Sequence, residues 1–164
     1  MNPSFTIRPA VQSDEDSIWR MIQPVFRVGE TYPLPRDISR FDALTYWRAP
    51  GHEVFIAEER GLIVGTYYLR SNNRGGGSHV ANCGYIVAND AGRRGVARTM
   101  CADSLERARE RGFTAMQFNF VISSNERAVR LWQSCGFAIV GTLPGAFAHP
   151  TLGLVDAYVM YRKI

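Results

Sequence analysis

The sequence predicts a three-layer α+β domain (α/β/α), one mixed sheet of about seven strands with helices on both faces. Three observations carry this. Seven strand-type runs are interleaved with helix-type runs along 164 residues, enough chain for one domain with its own core. No internal repeat and no linker divides the chain, so residues 1–164 read as a single domain. The apolar run Tyr85-Ile86-Val87 feeds a glycine-bearing turn that opens directly into a helix-type segment, as in layered α/β architectures.

Each element follows from its own pattern. Residues 5–10 alternate and form an opening strand. Ser13, followed by acids, caps a helix over about 14–27, where Ile18, Met21, Ile22, Val25 and Phe26 recur at helical spacing. Residues 29–35 are a loop holding Tyr32, and 37–47 a shorter helix. Strands at 54–58 and 62–70 are joined by a tight turn at Arg60-Gly61, a hairpin. A polar glycine loop spans 71–78, and the next strand is 79–87. The helix at 96–111 stops at Gly112, and 115–121 is a strand of alternating apolar and polar residues. The run Ser123-Ser124-Asn125-Glu126 caps a further helix that ends at Gly136. Strands at 137–142 and 155–162 close the chain.

Composition narrows the class. Hydrophobic residues make up 46% and charged residues 21% of the chain, the balance of a soluble globular domain. No apolar run approaches the roughly 20 residues of a membrane span, and the first residues lack the layout of a signal peptide. A cytoplasmic protein with no membrane partner is expected. Cys83, Cys101 and Cys135 are odd in number and scattered, which fits reduced thiols better than a disulfide frame or a metal site. The net charge of +4 is spread along the chain with no dense basic block, so no nucleic-acid partner is expected. A homodimer is compatible with the sequence, which does not set the oligomeric state.

The junction at 87–97 carries the chemistry. A strand that enters a glycine turn and then a helix collects free backbone N–H groups and a positive helix end at one point, a site for phosphate or pyrophosphate. The run Gly92-Arg93-Arg94-Gly95-Val96-Ala97 has neither the Gly-x-Gly-x-x-Gly spacing of a dinucleotide loop nor the Gly-Lys-Ser/Thr of a Walker loop. A second stretch lies one strand further on: Asn125-x-x-Ala128-x-x-Leu131-Trp132-x-x-x-Gly136-Phe137.

Together the two stretches resemble the Gcn5-related N-acetyltransferase (GNAT) family, whose pattern is Arg/Gln-x-x-Gly-x-Gly/Ala and then Asn-x-x-Ala-x-x-Leu-Tyr-x-x-x-Gly-Phe. The resemblance extends to Ile7-Arg8-Pro9-Ala10 and Ile63-Val64-Gly65. It implies the GNAT fold with a mostly antiparallel sheet. It also implies acetyl transfer from acetyl-CoA to an amine by direct attack in a ternary complex, without a metal. By resemblance the cosubstrate is held by Gly92, Arg93, Arg94, Gly95, Val96, Ala97, Asn125, Ala128, Leu131 and Trp132. Backbone N–H groups of Tyr85, Ile86 and Val87 on a bulged fourth strand would meet the acetyl carbonyl. Two positions depart from the pattern: Gly92 replaces Arg/Gln, and Trp132 replaces the tyrosine that protonates the leaving thiolate. Indole is a donor only, so water, Tyr85 or Cys135 is left as the stand-in acid.

Asn82 and Asn119 fall in strands, where asparagine is depleted. Either they are satisfied buried amides, or they line the gap between two strands and act on the substrate. With Tyr85 they form the candidate catalytic set. His79-x-x-Asn82-x-Gly84, Phe118-Asn119 and Trp132 also resemble the fungal proline-analogue (azetidine-2-carboxylate) acetyltransferases of the GNAT family. That resemblance implies a small amino-acid-like acceptor, placed by family analogy among Phe26, Glu30 and Tyr32 and near residues 145–156, where His149 and Asp156 lie. The alternatives are acetylation of a protein N-terminus and a non-catalytic acyl-CoA sensor.

Overall fold

A computed structural model describes residues 5–164. β1 (Thr6–Pro9), β2 (Glu53–Glu59) and β3 (Leu62–Ser71) run antiparallel into β4 (Val80–Val87). β4 pairs parallel with β5 (Ala115–Ile122). β7 (Gly153–Lys163) pairs antiparallel with β5 and with the edge strand β6 (Ala138–His149). The seven-stranded order is β1-β2-β3-β4-β5-β7-β6.

The period of two in the strands sorts the core. Phe55, Ala57, Tyr67 and Leu69 face one side, with Val96, Met100 and Trp132. Ile56, Tyr68 and Ile86 face the other, with Ile18, Ile22 and Trp47. Helices α1 (Glu15–Val28) and α2 (Arg40–Trp47) therefore cover one face. Helix α3 (Val96–Glu110) and the apolar side of α4 (Glu126–Ser134) cover the other. Gly65 sets how closely α3 approaches: a Cβ there would lie 2.9 Å from Val96 and Met100 side-chain atoms. The one buried hydroxyl between the α2 tryptophan and the sheet is satisfied, as Trp47 Nε1 donates to Thr66 Oγ1 (3.1 Å), which donates to Phe55 O (2.9 Å).

The starts of α1 and α2 and the end of β6 differ from the sequence reading. The Arg60-Gly61 hairpin is present, with positive φ at both residues (51° and 77°), the type I′ geometry. Ser13 does not cap α1. A 3₁₀ turn (Gln12–Asp14) precedes it, and Asp14 Oδ2 accepts from Val11 N–H (2.8 Å). α2 begins at Arg40, because Ser39 accepts from Asp42 N–H. Within the capping run Ser123-Ser124-Asn125-Glu126 it is Asn125 that caps α4, accepting from Ala128 N–H (3.3 Å). β6 continues past Pro144-Gly145 because it is an edge strand whose register shifts between Leu143 and Phe147, where proline is tolerated.

Asp14 ties β1 to the start of α1. The Arg8 guanidinium donates to both Asp14 oxygens (2.8 and 3.0 Å) and to Glu58 (2.9 Å). These bonds hold the Asp14 carboxyl below its ordinary range. A depressed folded-state pKa stabilises above the unfolded value near 4 and loses that contribution as pH falls through the folded pKa. Asp14→Asn is thus expected to lower stability by ~1–3 kcal/mol at neutral pH. Thermal melts from pH 7 to pH 3 should show a shallower acid-side loss for the variant than for the wild type.

Candidate active site

β4 and β5 pair only at Val80↔Ala115 and Ala81↔Met116 and then part. The next position is bridged by a side chain: Asn82 Nδ2 donates to Gln117 O (2.9 Å). Beyond it lies a cavity of about 360 Å³. The backbone of β4 supplies its inner wall. Ala88 N–H donates to Val64 O and Asn72 N–H to Val80 O, with unbroken register between. Antiparallel alternation therefore commits the N–H groups of Asn82, Gly84 and Ile86 to β3 and turns those of Cys83, Tyr85 and Val87 toward the gap. The outward carbonyl of Tyr85 accepts from Tyr32 Oη (3.1 Å). The expected bulge in β4 is not found against β3; register shifts lie instead in the β2–β3, β5–β7 and β6–β7 pairs.

The cavity passes through the sheet. On the α1/α2 side it is walled by Tyr32, Tyr46, Tyr68, Arg70 and Asn82, and on the α4 side by Asn125, Ala128 and Trp132. Gly84 lies between them, and a Cβ there would come within 2.6 Å of the Tyr68 ring.

The first turn of α3 is open to an anion. It has no side-chain cap and no acidic residue, and its first internal bond is Thr99 N–H to Gly95 O. The N–H groups of Val96, Ala97 and Arg98 thus lack helical partners. Gly95 (φ 86°) and Arg93 (φ 68°) fold the loop back, and no described atom lies within 4 Å of the Gly95 Cβ direction. Arg127 of α4, which the sequence reading missed, brings Nη1 to 3.9 Å from the Cβ direction of Gly92. Its charge stands where the glycine brings no side chain.

The sequence model of the acetyltransferase (GNAT) family matches residues 16–137. The chain belongs to the GNAT family. A GCN5-related N-acetyltransferase from Kribbella flavida is 36% identical, covers 98% of both chains and superposes with a TM-score of 0.92. N-acetyltransferase aca1 of Schizosaccharomyces pombe is 26% identical over 151 residues, 80% of this chain and 71% of that protein. YncA from Salmonella typhimurium, solved with its cofactor acetyl-CoA, shares the fold at 21% identity and a TM-score of 0.84, over 98% of this chain and 94% of that one.

In this GNAT enzyme several expected site residues fall elsewhere. The Tyr85 phenol points to the α3 side, where Oη meets Ser104 Oγ (2.7 Å), and burial raises its pKa well above the ordinary value. It is a core group, not an acid facing the cleft. Ile86 N–H belongs to the β3 ladder. Arg94 is paired with Glu59, leaving Arg93 as the loop cation without a partner among the described residues. Leu131 packs into the α3/α4 core rather than the cavity. Phe26 is 1% exposed and sets its edge against Tyr32 (5.3 Å), so it positions the wall without forming it. Glu30 is exposed and outside the cavity.

His149 Nδ1 accepts from Thr151 and Leu152 N–H in the β6–β7 turn, and Asp156 accepts from Gly145 N–H. Both are turn and bulge fasteners. Cys135 does not line the cavity. Asn119 sits on the rim, accepting from Gln117 Nε2 (2.8 Å) and donating to Asn72 Oδ1 (2.7 Å). Asn82 spends both amide ends inside the protein, which makes it a positioning residue in place of the expected catalytic one.

Trp132 lies against Tyr85 (4.9 Å) and Phe118 (5.1 Å) as part of the cavity wall. No Asp, Glu or His is among the described lining residues, and burial pushes the Cys83 thiol up to about 12. Among the described residues no helix is long and apolar enough to cross a membrane, and no cluster of His, Cys, Asp and Glu is placed to hold a metal ion.

Proposed function

We propose that this GNAT enzyme transfers the acetyl group of acetyl-CoA to the amine of a small molecule, by direct attack in a ternary complex. The observation that carries the reading is the cavity through the sheet. It lets two substrates reach the outward N–H groups of β4 from opposite faces. The residues on the α3/α4 side suit acetyl-CoA, which supplies the acetyl group as a thioester. The first-turn N–H groups of α3, Arg93 and Arg127 offer charge-assisted bonds to a pyrophosphate. YncA, bound to acetyl-CoA, shares this fold.

Tyr85 and Val87 N–H are aimed at the position where a carbonyl oxygen would gain charge, the arrangement that stabilises an oxyanion. The acceptor amine attacks from the α1/α2 side as its lone pair forms the C–N bond. The C–S bond breaks, and the proton lost by nitrogen goes to water. A thiol with a pKa near 8.5 leaves well as its anion, so a tryptophan at position 132 is tolerable.

The absence of a carboxylate or imidazole from the described lining has a kinetic consequence. The amine must arrive neutral, so log kcat/KM is expected to rise with unit slope up to the acceptor's own amine pKa. An acceptor with a lower amine pKa should move the break by the same amount; a break fixed at one pH for every acceptor would show that a protein base is at work. The function itself is tested by calorimetric titration with acetyl-CoA, followed by thiol-release assays over an amine panel. Binding without thiol release from any amine would overturn acetyl transfer in favour of a sensor.

A further inference from the structure

We infer that Tyr32 sets the direction of attack: its hydroxyl oxygen accepts a hydrogen bond from the acceptor amine and so turns the nitrogen lone pair toward the thioester carbonyl. The inference rests on the acetyl-transfer reading of the same cavity and gives a wall residue a catalytic role in it. Tyr32 Oη donates to Tyr85 O (3.1 Å), and both residues line the cavity. On an antiparallel strand the N–H and C=O of one residue point the same way. The Tyr32 oxygen is therefore anchored at the residue whose N–H faces the developing oxyanion. Its ring comes from the α1/α2 side, the side from which the amine enters.

The valences of the phenol leave it one role. It has a single proton to donate, and that proton is spent on Tyr85 O. Toward the cavity its oxygen can only accept. A neutral amine has N–H bonds to give and one lone pair to attack with, so an N–H bonded to Tyr32 Oη aims the lone pair. As the C–N bond forms, nitrogen gains positive charge and its N–H becomes a stronger donor. The bond is then worth more in the transition state than in the bound substrate, which raises kcat rather than affinity. Burial raises the Tyr32 pKa well above the ordinary value, so the phenol stays neutral and is no base. The C–S bond breaks with its electron pair on sulfur, and the proton passes from nitrogen to water.

The oxygen is held in place. Gly29 closes α1 at φ 70° and turns the chain back. Arg36 Nε donates to Arg27 O (2.8 Å) and Arg27 Nη1 donates to Arg36 O, which fastens the neck of the loop over residues 29–35. The Tyr32 ring stands edge-on to Phe26 (5.3 Å) and tilted on Trp47 (6.1 Å), both buried. The phenol cannot swing without moving the core, and such fixed placement is what an orienting bond requires.

The test compares the wild type with Tyr32→Phe and with a protein carrying 3-fluorotyrosine in place of Tyr32. Thiol release is measured at saturating acetyl-CoA over a panel of primary and secondary alkylamines, polyamines and amino acids. The amine that the wild type turns over fastest is then followed against concentration and pH, beside thermal melts and calorimetric titration with acetyl-CoA. Tyr32→Phe is expected to lower kcat about 10–10²-fold, with acceptor KM and acetyl-CoA affinity within about threefold of wild type. The break in the pH profile should stay at the acceptor's own amine pKa. Fluorine draws electron density from the phenol oxygen, so it strengthens the bond to Tyr85 O and weakens acceptance from the amine. The fluorotyrosine protein should melt no lower than wild type and still lose kcat by about threefold or more.

Wild-type kcat in folded Tyr32→Phe, or a loss carried by KM alone, would overturn the inference and leave acetyl transfer standing. A fluorotyrosine protein with wild-type kcat would do the same, by making Tyr32 a brace of the loop only. So would a pH break that is fixed in the wild type and absent from Tyr32→Phe, which would make Tyr32 a base. Should Tyr32→Phe fail to fold, the fluorotyrosine protein decides alone. Thiol release by the wild type from no amine of the panel would overturn acetyl transfer itself, and the inference with it.

Discussion

Gly95→Asp is expected to raise the dissociation constant for acetyl-CoA by about 10²–10³-fold. Gly95 stands before the first turn of α3 at φ 86°, with no described atom within 4 Å of its Cβ direction. A side chain fits there sterically, and the left-handed backbone costs ~1–2 kcal/mol for a residue other than glycine. The fold therefore persists while the site changes. The new carboxylate lies beside the N–H groups of Val96, Ala97 and Arg98, competes for them and repels a pyrophosphate. Two like charges about 4 Å apart at an effective dielectric of 20 repel by ~4 kcal/mol, roughly a thousandfold in affinity.

Gly95→Ala carries the strain without the charge and should stay within about tenfold of wild type. Arg93→Ala and Arg127→Ala each remove one exposed cation, worth ~0.5–1.5 kcal/mol, a weakening of roughly tenfold or less. Calorimetric titration of the four variants checks the order. Equal, mild effects for Gly95→Asp and Arg93→Ala would remove the helix terminus as the anchor.

Gly84→Val should damage the acceptor side while leaving the cosubstrate side in place. A Cβ at Gly84 meets two Tyr68 ring carbons and the phenol oxygen at 2.6–2.8 Å. That ring has nowhere to retreat. It is 5% exposed, edge-on to Trp47 (5.0 Å) and stacked on His52 (4.3 Å). Relief comes only by pushing the ring into the cavity or bending β4, and such overpacking costs ~1–3 kcal/mol.

We expect unfolding free energy to fall by that amount and kcat/KM for the acceptor to fall at least ~10²-fold. Acetyl-CoA affinity should change by less than about threefold, because the first turn of α3 is untouched. Adding Tyr68→Leu should restore part of the lost stability, a coupling between contacting residues. A Gly84→Val protein with wild-type melting and acceptor kinetics would show that the ring does not cover this glycine.

How much of this was readable in the chain differs residue by residue. Ile18, Met21 and Ile22 recur at helical spacing and all three are buried; periodicity alone reports this, because one helix face must be dry. The loop at 92–97 and the asparagine at 125 were readable as local chemistry, a helix start and a helix cap. The phenol of Tyr85 was not. Alternation says that Tyr85 and Ile86 face opposite sides, but only the placement of α3 says which side is closed core. Phe26 and Val25 are neighbours on one helix, about 100° apart, and the docking angle of α1 puts Val25 at the cavity and Phe26 behind it.

Arg70 and Arg127 carried no signal at all. An arginine is notable only when no carboxylate meets it, and partners here come from strands and helices distant in sequence. Gly84 is similar: its need for a hydrogen side chain lies in Tyr68, a cross-strand neighbour.

The sequence by itself therefore determined the layered α+β class, the glycine turn at the head of α3 and the motif order that marks a GNAT acetyltransferase. Each depends on periodicity or local backbone chemistry, which act over a few residues. Only the tertiary structure decided that β4 and β5 part after Ala81, that the N–H groups of Tyr85 and Val87 rather than Ile86 open into the gap, and that Arg70 faces it without a counterion. Those properties depend on register and on which side chains fail to meet, and both are set by contacts between segments far apart along the chain.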